Sequence, residues 1–314
     1  MKLRGIDLEI DFLEELEEFD IWDKHRVREN KFQCCSPFRN EAHPSFAVNL
    51  DNGVWIDSGA PDEEWRKGNF VTLLYWLREE TPNETIDYLM EKYAPFNVDV
   101  DTLELDFDLQ LEKEPPIILK ESDFDYIGNH SDYLKNRGVS AEIQELFKTG
   151  EDSKGGFVSF SWFDINGNLV NVKHRAIKNK YFWYAEGQAI KYHVFGLNLI
   201  KARGIKKAFV VESEIDALYL WSHGFPAIAL GRAGMSSTQR DLILRSGIEI
   251  LVIATDNDKA GWRAGKQIIR DLNGYLLLET IDLAANAKDV NDLNSKELVA
   301  TCNRSRNIII RFLA

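Results

Sequence analysis

The sequence predicts an α/β protein: a parallel sheet flanked by helices, preceded by a smaller α+β region and a small amino-terminal domain. Two short apolar runs, at residues 208–211 and 250–254, carry this prediction, because each fits a buried strand and is followed by a helical pattern. Acidic side chains stand directly after both runs. Since crossover connections are right-handed and keep such strands parallel, we expect both acidic clusters at one edge of one sheet.

The spacing of these acidic residues favours convergence. Glu212 and Asp216 are four apart, which aligns them once a helix has begun, and Asp256 and Asp258 are two apart, which places them on one side of an extended chain. Carboxylates that crowd together repel one another, and hard divalent cations such as Mg²⁺ or Mn²⁺ relieve that repulsion. The pattern therefore predicts a divalent cation site.

Two simpler explanations compete with a cation site. A single Asp after a strand is usually the N-cap of the next helix, although two acidic strand ends in consecutive units are harder to explain in this way. Residues 256–267 also resemble the start of an EF-hand loop, with Gly261 in its sixth place. Gln267 stands where that loop needs Glu, and a strand precedes it, so we exclude the EF-hand.

Three segments resemble the motifs of Toprim domains. They are Val-Glu-Ser-Glu-Ile-Asp-Ala-Leu at 211–218, Asp-Asn-Asp-Lys-Ala-Gly at 256–261 and Lys-Asp-Val-Asn-Asp-Leu at 288–293. In detail they are most similar to DnaG-type bacterial primases and to the primase half of phage primase-helicases. The family usually has Gly where this chain has Ser213, a change that leaves the carboxylates in place.

The resemblance implies a DNA primase, which makes short RNA primers on single-stranded DNA. It implies Asp256, Asp258 and Asp289 as ligands of Mg²⁺ or Mn²⁺. Glu212 is expected either to join the metal ligands or to accept the proton of the attacking hydroxyl, and the sequence leaves these two roles open. Asp216 completes the predicted set of metal ligands.

Five further residues are candidates for binding nucleotide or template phosphates. Lys173, Arg175 and Lys180 belong to a basic and aromatic stretch, in which a solvated hairpin face is an equal alternative for any one Lys. Gly231 and Arg232 follow a predicted strand that opens on the same sheet edge. Their loop forms either a simple turn or a phosphate contact through its amides, and the sequence does not choose between the two.

The net charge of −13 at first argues against a nucleic-acid partner, because phosphate neutralisation drives most of that affinity. The acidic residues crowd positions 1–20 and 99–125, however, whereas basic residues cluster at 173–191. One face can therefore be basic. Single-stranded DNA and ribonucleoside triphosphates are the partners that the resemblance implies.

Composition favours a cytoplasmic protein of a bacterial or phage-infected cell. No apolar run approaches the roughly 18 residues of a membrane span, and the first residues are too acidic for a signal peptide. Three Cys residues cannot form a disulfide framework. No Gly-x-x-x-x-Gly-Lys-Ser/Thr loop occurs, so we expect a separate replicative helicase as a partner. The absence of a host-type helicase-binding tail favours a phage-like or plasmid-encoded protein.

The amino-terminal region combines Cys-Ser-Pro-Phe-Arg at 35–39, Pro-Ser-Phe at 44–46 and an Asp-Asn-Gly hairpin turn at 51–53. It resembles the zinc ribbon of the same primases, in which a Cys and a His stand at the places of Ser36 and Arg39. Structural zinc needs about four Cys or His donors. We therefore expect a degenerate ribbon that is held by apolar side chains, binds no zinc and still contacts the template.

These patterns divide the chain into four predicted regions: a template-binding ribbon at 1–95, an acidic linker at 96–125, an α+β subdomain at 126–205 and a catalytic Toprim domain at 206–314. Two other functions fit the same residues. A Toprim-type metal-dependent nuclease would use the same carboxylates, and a replication accessory protein would bind DNA after its metal site had decayed.

Overall fold

The structure is a computed structural model that describes residues 1–19, 21–60, 66–94, 116–232, 234–284 and 287–308. The chain forms two compact units, Met1–Leu77 with Thr81–Ile117 and Arg78–Glu80 with Ile118–Ala314. Most of the predicted acidic linker, residues 96–115, lies outside the described residues. The predicted boundary near residue 205 falls within the second unit, whose hydrophobic core extends continuously from Leu134 to Cys302.

The first unit is built on an antiparallel sheet with the strand order β3-β4-β5-β6-β7. Its elements are β1 (Lys2–Leu3), β2 (Ile6–Asp7), α1 (Phe12–Glu17), β3 (Arg26–Arg28), β4 (Lys31–Cys34), β5 (Phe46–Asn49), β6 (Trp55–Asp57), β7 (Lys67–Gly68), α2 (Phe70–Arg78) and α3 (Pro82–Tyr93). The predicted hairpin turn at 51–53 joins β5 to β6.

One face of this sheet forms the core of the first unit. Alternation along β4, β5 and β6 places Phe32, Phe46 and Trp55 on the same side, where each is almost completely buried. The ring of Phe38, from the loop between β4 and β5, packs edge-on against Phe46 with ring centroids 5.7 Å apart. The prediction of a ribbon with an apolar core is confirmed.

A buried carboxylate joins α1 to α3 within the same unit. Glu15 is fully buried, and its Oε1 accepts hydrogen bonds from Tyr88 at 3.0 Å, Lys92 at 2.7 Å and Tyr93 at 2.8 Å. A buried charge is tolerated only where partners replace its lost hydration. Glu15 therefore fixes the position of α1 on α3.

The second unit begins with short helices and an antiparallel sheet. The elements are α4 (Asp132–Asn136), α5 (Ala141–Leu146), β8 (Gly150–Glu151), β9 (Phe157–Phe163), β10 (Leu169–Ala176) and β11 (Phe182–Tyr184), with strand order β11-β10-β9-β8. Gly138, which has φ +80°, separates the two helices, and the Ser140 side chain caps α5.

A second sheet follows, in the order β13-β12-β14-β15-β16. Its elements are α6 (Leu197–Ala202), β12 (Lys207–Val211), α7 (Glu214–Ser222), β13 (Ala227–Ala229), α8 (Ser237–Arg245), β14 (Ile250–Ile253), α9 (Lys259–Leu272), β15 (Leu277–Thr280), α10 (Ser295–Cys302) and β16 (Arg306–Asn307). The first four strands in this order are parallel, and β16 is antiparallel. The predicted α/β class is confirmed.

No helix in the described ranges combines the length and apolarity that crossing a bilayer requires.

We predict that Glu15→Ala lowers the free energy of unfolding of the first unit by about 2–3 kcal/mol, because the hydroxyls of Tyr88 and Tyr93 lose this acceptor and Lys92 loses its nearest carboxylate. Glu17→Ala is the matched control, since Glu17 is an exposed carboxylate on the same helix. Urea unfolding of the two variants measures the difference. Equal stability of both variants would contradict a structural role for the buried carboxylate.

Candidate active site at the carboxyl edge of the parallel sheet

The candidate site is built where β12 and β14 end. The two strands are parallel neighbours, with Phe209 opposite Val252 and Val210 opposite Ile253. Both strands are buried, so their hydrogen-bonding register is well defined. The acidic residues that follow the two strands consequently leave the sheet at the same edge, as the sequence predicted.

Glu212 and Asp256 are in direct contact across this edge. The backbone amide of Asp256 donates a hydrogen bond of 3.1 Å to Oε1 of Glu212. Burial, together with the charge of Asp256, raises the pKa of Glu212 to about 8. Burial also raises the pKa of Asp256 to about 6, and neighbouring carboxylates contribute to that rise. The structure thus places two of the predicted residues in one electrostatically strained group.

Asp258 has a structural role besides any catalytic one. Its Oδ1 caps α9 by accepting a 2.9 Å hydrogen bond from the amide of Gly261. A Cβ atom at Gly261 would lie only 2.1 Å from the carbonyl oxygen of Asp256, so the helix can start this close to the acidic turn only with glycine there. The N-cap explanation is therefore correct for Asp258, while Oδ2 of the same carboxylate faces Lys288.

Lys288 lies between the two aspartates, a position that our sequence reasoning missed. Its Nζ is 3.5 Å from Oδ2 of Asp256 and 3.8 Å from Oδ2 of Asp258. The carbonyl of Lys288 accepts a 2.6 Å hydrogen bond from the amide of Asn257, which ties the 288–293 motif to the acidic turn. Burial opposes the charged ammonium, but the carboxylates around it outweigh burial and raise the pKa of Lys288.

Asp216 and Asp289 extend the acidic group towards α7. Asp216 is buried, and the Ser213 hydroxyl donates to its Oδ2 at 2.6 Å. Burial and the nearby charge of Asp289 raise the pKa of Asp216. Oδ1 of Asp289 accepts from the amide of Asp292 at 3.0 Å and so begins a short 3-10 turn. Ser213, which replaces the family's glycine, thus caps α7 and orients Asp216.

The donor set suits a hard divalent cation, but the described residues do not form a closed shell around one. Their oxygens are hard ligands, and burial, followed by neighbouring carboxylates, raises the pKa values of Glu212, Asp216 and Asp256. Within the described ranges, no three His, Cys, Asp or Glu residues are grouped closely enough to hold a metal ion. Lys288 supplies the positive charge between Asp256 and Asp258 in this structure.

Lys173 is placed differently from the other predicted phosphate ligands. It is 4% exposed, and its Nζ donates a 3.3 Å hydrogen bond to Glu214. Glu214 is also buried and accepts a second hydrogen bond, of 3.1 Å, from the indole of Trp162. The ammonium is therefore engaged inside the protein, and its binding of a phosphate stays a prediction.

Arg175 and Lys180 form a basic group beside the acidic edge. The side chain of Arg175 is partly exposed and makes no hydrogen bond or ion pair with another described residue. Burial, followed by the positive charges of Lys288 and Arg175, lowers the pKa of Lys180. Lys180 is therefore close enough to both Lys288 and Arg175 to be repelled by them, and an anion bound beside Lys180 would relieve that repulsion.

The loop after β13 offers one available donor. The amide of Gly231 already donates to the carbonyl of Glu212 at 2.9 Å, and a Cβ atom there would meet the ring of Trp162 at 2.6 Å. The turn alternative therefore describes Gly231. Nε of Arg232 is buried without a hydrogen-bond partner among the described residues, although Nη1 lies 3.6 Å from Glu80 of the Arg78–Glu80 segment.

Comparisons with known proteins agree with this geometry. Residues 209–294 match the family model Toprim_2, described as Toprim-like, and this range spans the ends of β12 and β14 and the 288–293 motif. A DNA primase of Mycoplasma genitalium is 24% identical to the chain over an alignment of 271 residues, and the match covers 78% of this chain. The match spans 43% of that relative, less than half of its length.

Solved structures of primases are also similar to the chain. The zinc-binding and RNA polymerase domains of the Aquifex aeolicus primase align over 96% of this chain and 84% of that one, with 18% identity and a TM-score of 0.47. The primase fragment of the bacteriophage T7 primase-helicase protein aligns over 60% and 83%, with 24% identity and a TM-score of 0.49.

We predict that the second unit loses stability as the pH rises from about 5 to 8. A carboxyl whose pKa is higher in the folded state binds more protons there, so its contribution is complete below pH 4.5 and is lost as the pH passes about 8 for Glu212. Each such group changes the free energy of unfolding by at most about 1.4 kcal/mol per pH unit.

Glu212→Gln should flatten this pH dependence, most clearly above pH 6, where Asp256 is already largely ionised. Glu249→Gln, at an exposed carboxylate paired with Lys206, is the matched control and should keep the wild-type slope. Thermal unfolding midpoints recorded across the pH range, without divalent cations, provide the measurement. A Glu212→Gln slope equal to that of the control would show that Glu212 is not a strained acid.

Proposed function

We propose that this chain, whose second unit carries a Toprim-like domain, is a DNA primase that synthesises short RNA primers on single-stranded DNA. The observation that carries the proposal is the meeting of Glu212 and Asp256 at one sheet edge, with Arg175 and Lys180 beside them. An acidic group next to a basic one suits a reaction between a metal-bound triphosphate and a hydroxyl. The similarity to the M. genitalium primase supports the same function.

Five carboxylates are the proposed ligands of Mg²⁺ or Mn²⁺: Glu212, Asp216, Asp256, Asp258 and Asp289. When bound, such ions orient the triphosphate and stabilise charge on the attacking and leaving oxygens. Lys288 now neutralises Asp256 and Asp258, and its long, 62% exposed side chain has room to move away. No zinc is needed in this proposal.

Glu212 is suited to accept the proton of the attacking hydroxyl. A general base works best when its pKa is close to the operating pH, and burial raises the pKa of Glu212 to about 8. The hydrogen bond from the Asp256 amide fixes its Oε1, which leaves Oε2 to take up the proton. The second possibility, direct metal ligation, uses the same oxygen.

Arg175, Lys180 and Arg232 are the proposed phosphate ligands. Guanidinium groups bind phosphate oxygens with two parallel hydrogen bonds, and the side chain of Arg175 has none of its donors committed to described residues. The buried, unpaired Nε of Arg232 would gain an acceptor from a bound phosphate. Lys173 acts in this proposal by holding Glu214 and Trp162 in place.

The outer face of the ribbon is the proposed contact with the template. Arg26, Arg28 and Lys31 lie exposed on neighbouring strands, where Arg28 pairs with Lys31, and Lys67 lies exposed at the far edge of the sheet. This face is basic although the whole chain is strongly acidic. Basic side chains on a sheet can track a single-stranded backbone.

We further propose ribonucleoside triphosphates as substrates and a separate replicative helicase as a partner, in the cytoplasm of a bacterial or phage-infected cell.

We predict that Asp256→Asn lowers template-dependent ribonucleotide incorporation by roughly 100-fold or more, the range seen when one charge-stabilising group is removed. Asp282→Asn is the matched control, because Asp282 is an exposed carboxylate that follows the end of β15, in the same sheet. The assay uses single-stranded DNA, labelled ribonucleoside triphosphates and Mg²⁺.

The same assay separates the alternatives. A nuclease would degrade the DNA with Mg²⁺ and need no nucleotides, and a decayed accessory protein would bind template without any synthesis in the wild type. Either result would contradict the primase proposal.

We predict that Arg175→Ala raises KM for the ribonucleotides by about 10-fold, since a hydrogen bond to a charged group contributes about 1.5–3 kcal/mol. Lys178→Ala, which removes an exposed cation three residues away, is the control and should change KM little. Steady-state kinetics at saturating template measure both. A KM for Arg175→Ala equal to that of the control would remove Arg175 from the phosphate site.

A further inference from the structure

The first unit contains a cluster of charged side chains that the proposed function does not use. Arg39 donates through Nη1 to Oδ2 of Asp57 at 2.7 Å, and through Nη2 to the carboxylate of Glu41 and to the Ser45 hydroxyl. The side chain of Asp57 is fully buried, and those of Glu41 and Arg39 are only 15% and 21% exposed. One guanidinium therefore forms ion pairs with two largely buried carboxylates.

Hydroxyl and amide groups complete this cluster. The Ser36 hydroxyl donates to Oδ2 of Asp57 at 2.6 Å, and the Ser45 hydroxyl lies 2.8 Å from Oε1 of Glu41. The amide of Ser36 donates to Glu41 at 2.6 Å, and that of Gly59 donates to Asp57 at 3.1 Å. The cluster thus joins the loop between β4 and β5 to the turn that follows β6.

The guanidinium fills its site closely. A Cβ atom at Gly59 would lie 2.1 Å from Nη2 of Arg39, so only glycine lets the turn approach the guanidinium this closely. The two carboxylates accept from different nitrogens of the guanidinium, Asp57 from Nη1 and Glu41 from Nη2. A planar guanidinium can donate to both at once, whereas the single ammonium of a Lys is less suited to do so.

We propose that the Arg39 guanidinium is an internal cation that closes the ribbon, at the place where the resemblance to zinc ribbons puts a metal ligand. The site formed by Glu41, Asp57, Ser36 and Ser45 takes a guanidinium, and the first unit folds without a metal ion. Structural zinc joins two loops through four soft donors. Here charge-assisted hydrogen bonds join the two loops instead.

The neighbouring thiols fit a site without zinc. Cys34 and Cys35 are buried, and burial together with nearby charges raises the pKa of Cys34 to about 12. Zinc binds the thiolate form of cysteine, whereas burial and the nearby carboxylates of Glu41 and Asp57 keep the Cys34 thiol protonated. Chelators and mild oxidants are therefore expected to leave the ribbon folded.

Hydrogen exchange of the full chain, followed by mass spectrometry, tests this proposal. In Arg39→Ala, peptides that cover residues 31–49 and 55–60 should exchange at least about tenfold faster, because two buried carboxylates lose their cation. Peptides of the second unit provide an internal control. Millimolar guanidinium chloride should restore slow exchange in this variant, whereas the same concentration of sodium chloride should not.

Two further variants keep the test decisive if Arg39→Ala does not fold. Arg39→Lys keeps the charge without the fork and should show an intermediate exchange rate. In Arg39→Ala/Asp57→Asn one of the two uncompensated carboxylate charges is gone, so the double variant should be more protected than Arg39→Ala alone. The wild type treated with a chelator should exchange at an unchanged rate.

Three results would overturn the proposal. The first is faster exchange of these peptides in the chelated wild type, and the second is stoichiometric zinc in the purified wild type. The third is a combination: Arg39→Lys exchanges at the wild-type rate, and guanidinium does not rescue Arg39→Ala. The first two would mean that a metal closes the ribbon, and the third would mean that the guanidinium does not.

Discussion

The parallel pairing of β12 with β14 is the constraint on which the candidate site depends. It brings Glu212 and the Asp256 turn together although 43 residues separate them in the chain. Parallel strands satisfy their backbone hydrogen bonds within the buried sheet, so the carboxyl ends of both strands are rigid. A rigid edge can hold like charges at short range, where flexible loops would separate them.

The cost of this arrangement appears as raised pKa values. Burial and mutual repulsion raise the pKa of Glu212 and of Asp256, and Lys288 compensates only part of the charge. Acidic residues whose pKa values are raised by burial and by neighbouring charges are typical of functional sites. In the ribbon, by contrast, both buried carboxylates are in direct contact with a cation, because Arg39 donates to Asp57 and to Glu41.

Much of this architecture could be predicted from sequence, because it depends on local patterns. Buried strands followed by acidic residues, the glycine stop at Gly138 and the hairpin turn at 51–53 each have a signature within a few residues. The side-chain partners could not be predicted in this way. Lys173 pairs with Glu214, 41 residues later, and Lys288 reaches Asp256 only because two loops meet.

The central claim is that this acidic edge is built to bind divalent cations, and Mn²⁺ binding followed by electron paramagnetic resonance at pH 7 tests it most directly. The account predicts saturable Mn²⁺ binding by the wild type and loss of that binding in Asp256→Asn. Binding should release protons, because carboxyls with raised pKa values must ionise to bind the metal. Absence of binding by the wild type, or binding that Asp256→Asn leaves unchanged, would contradict the account.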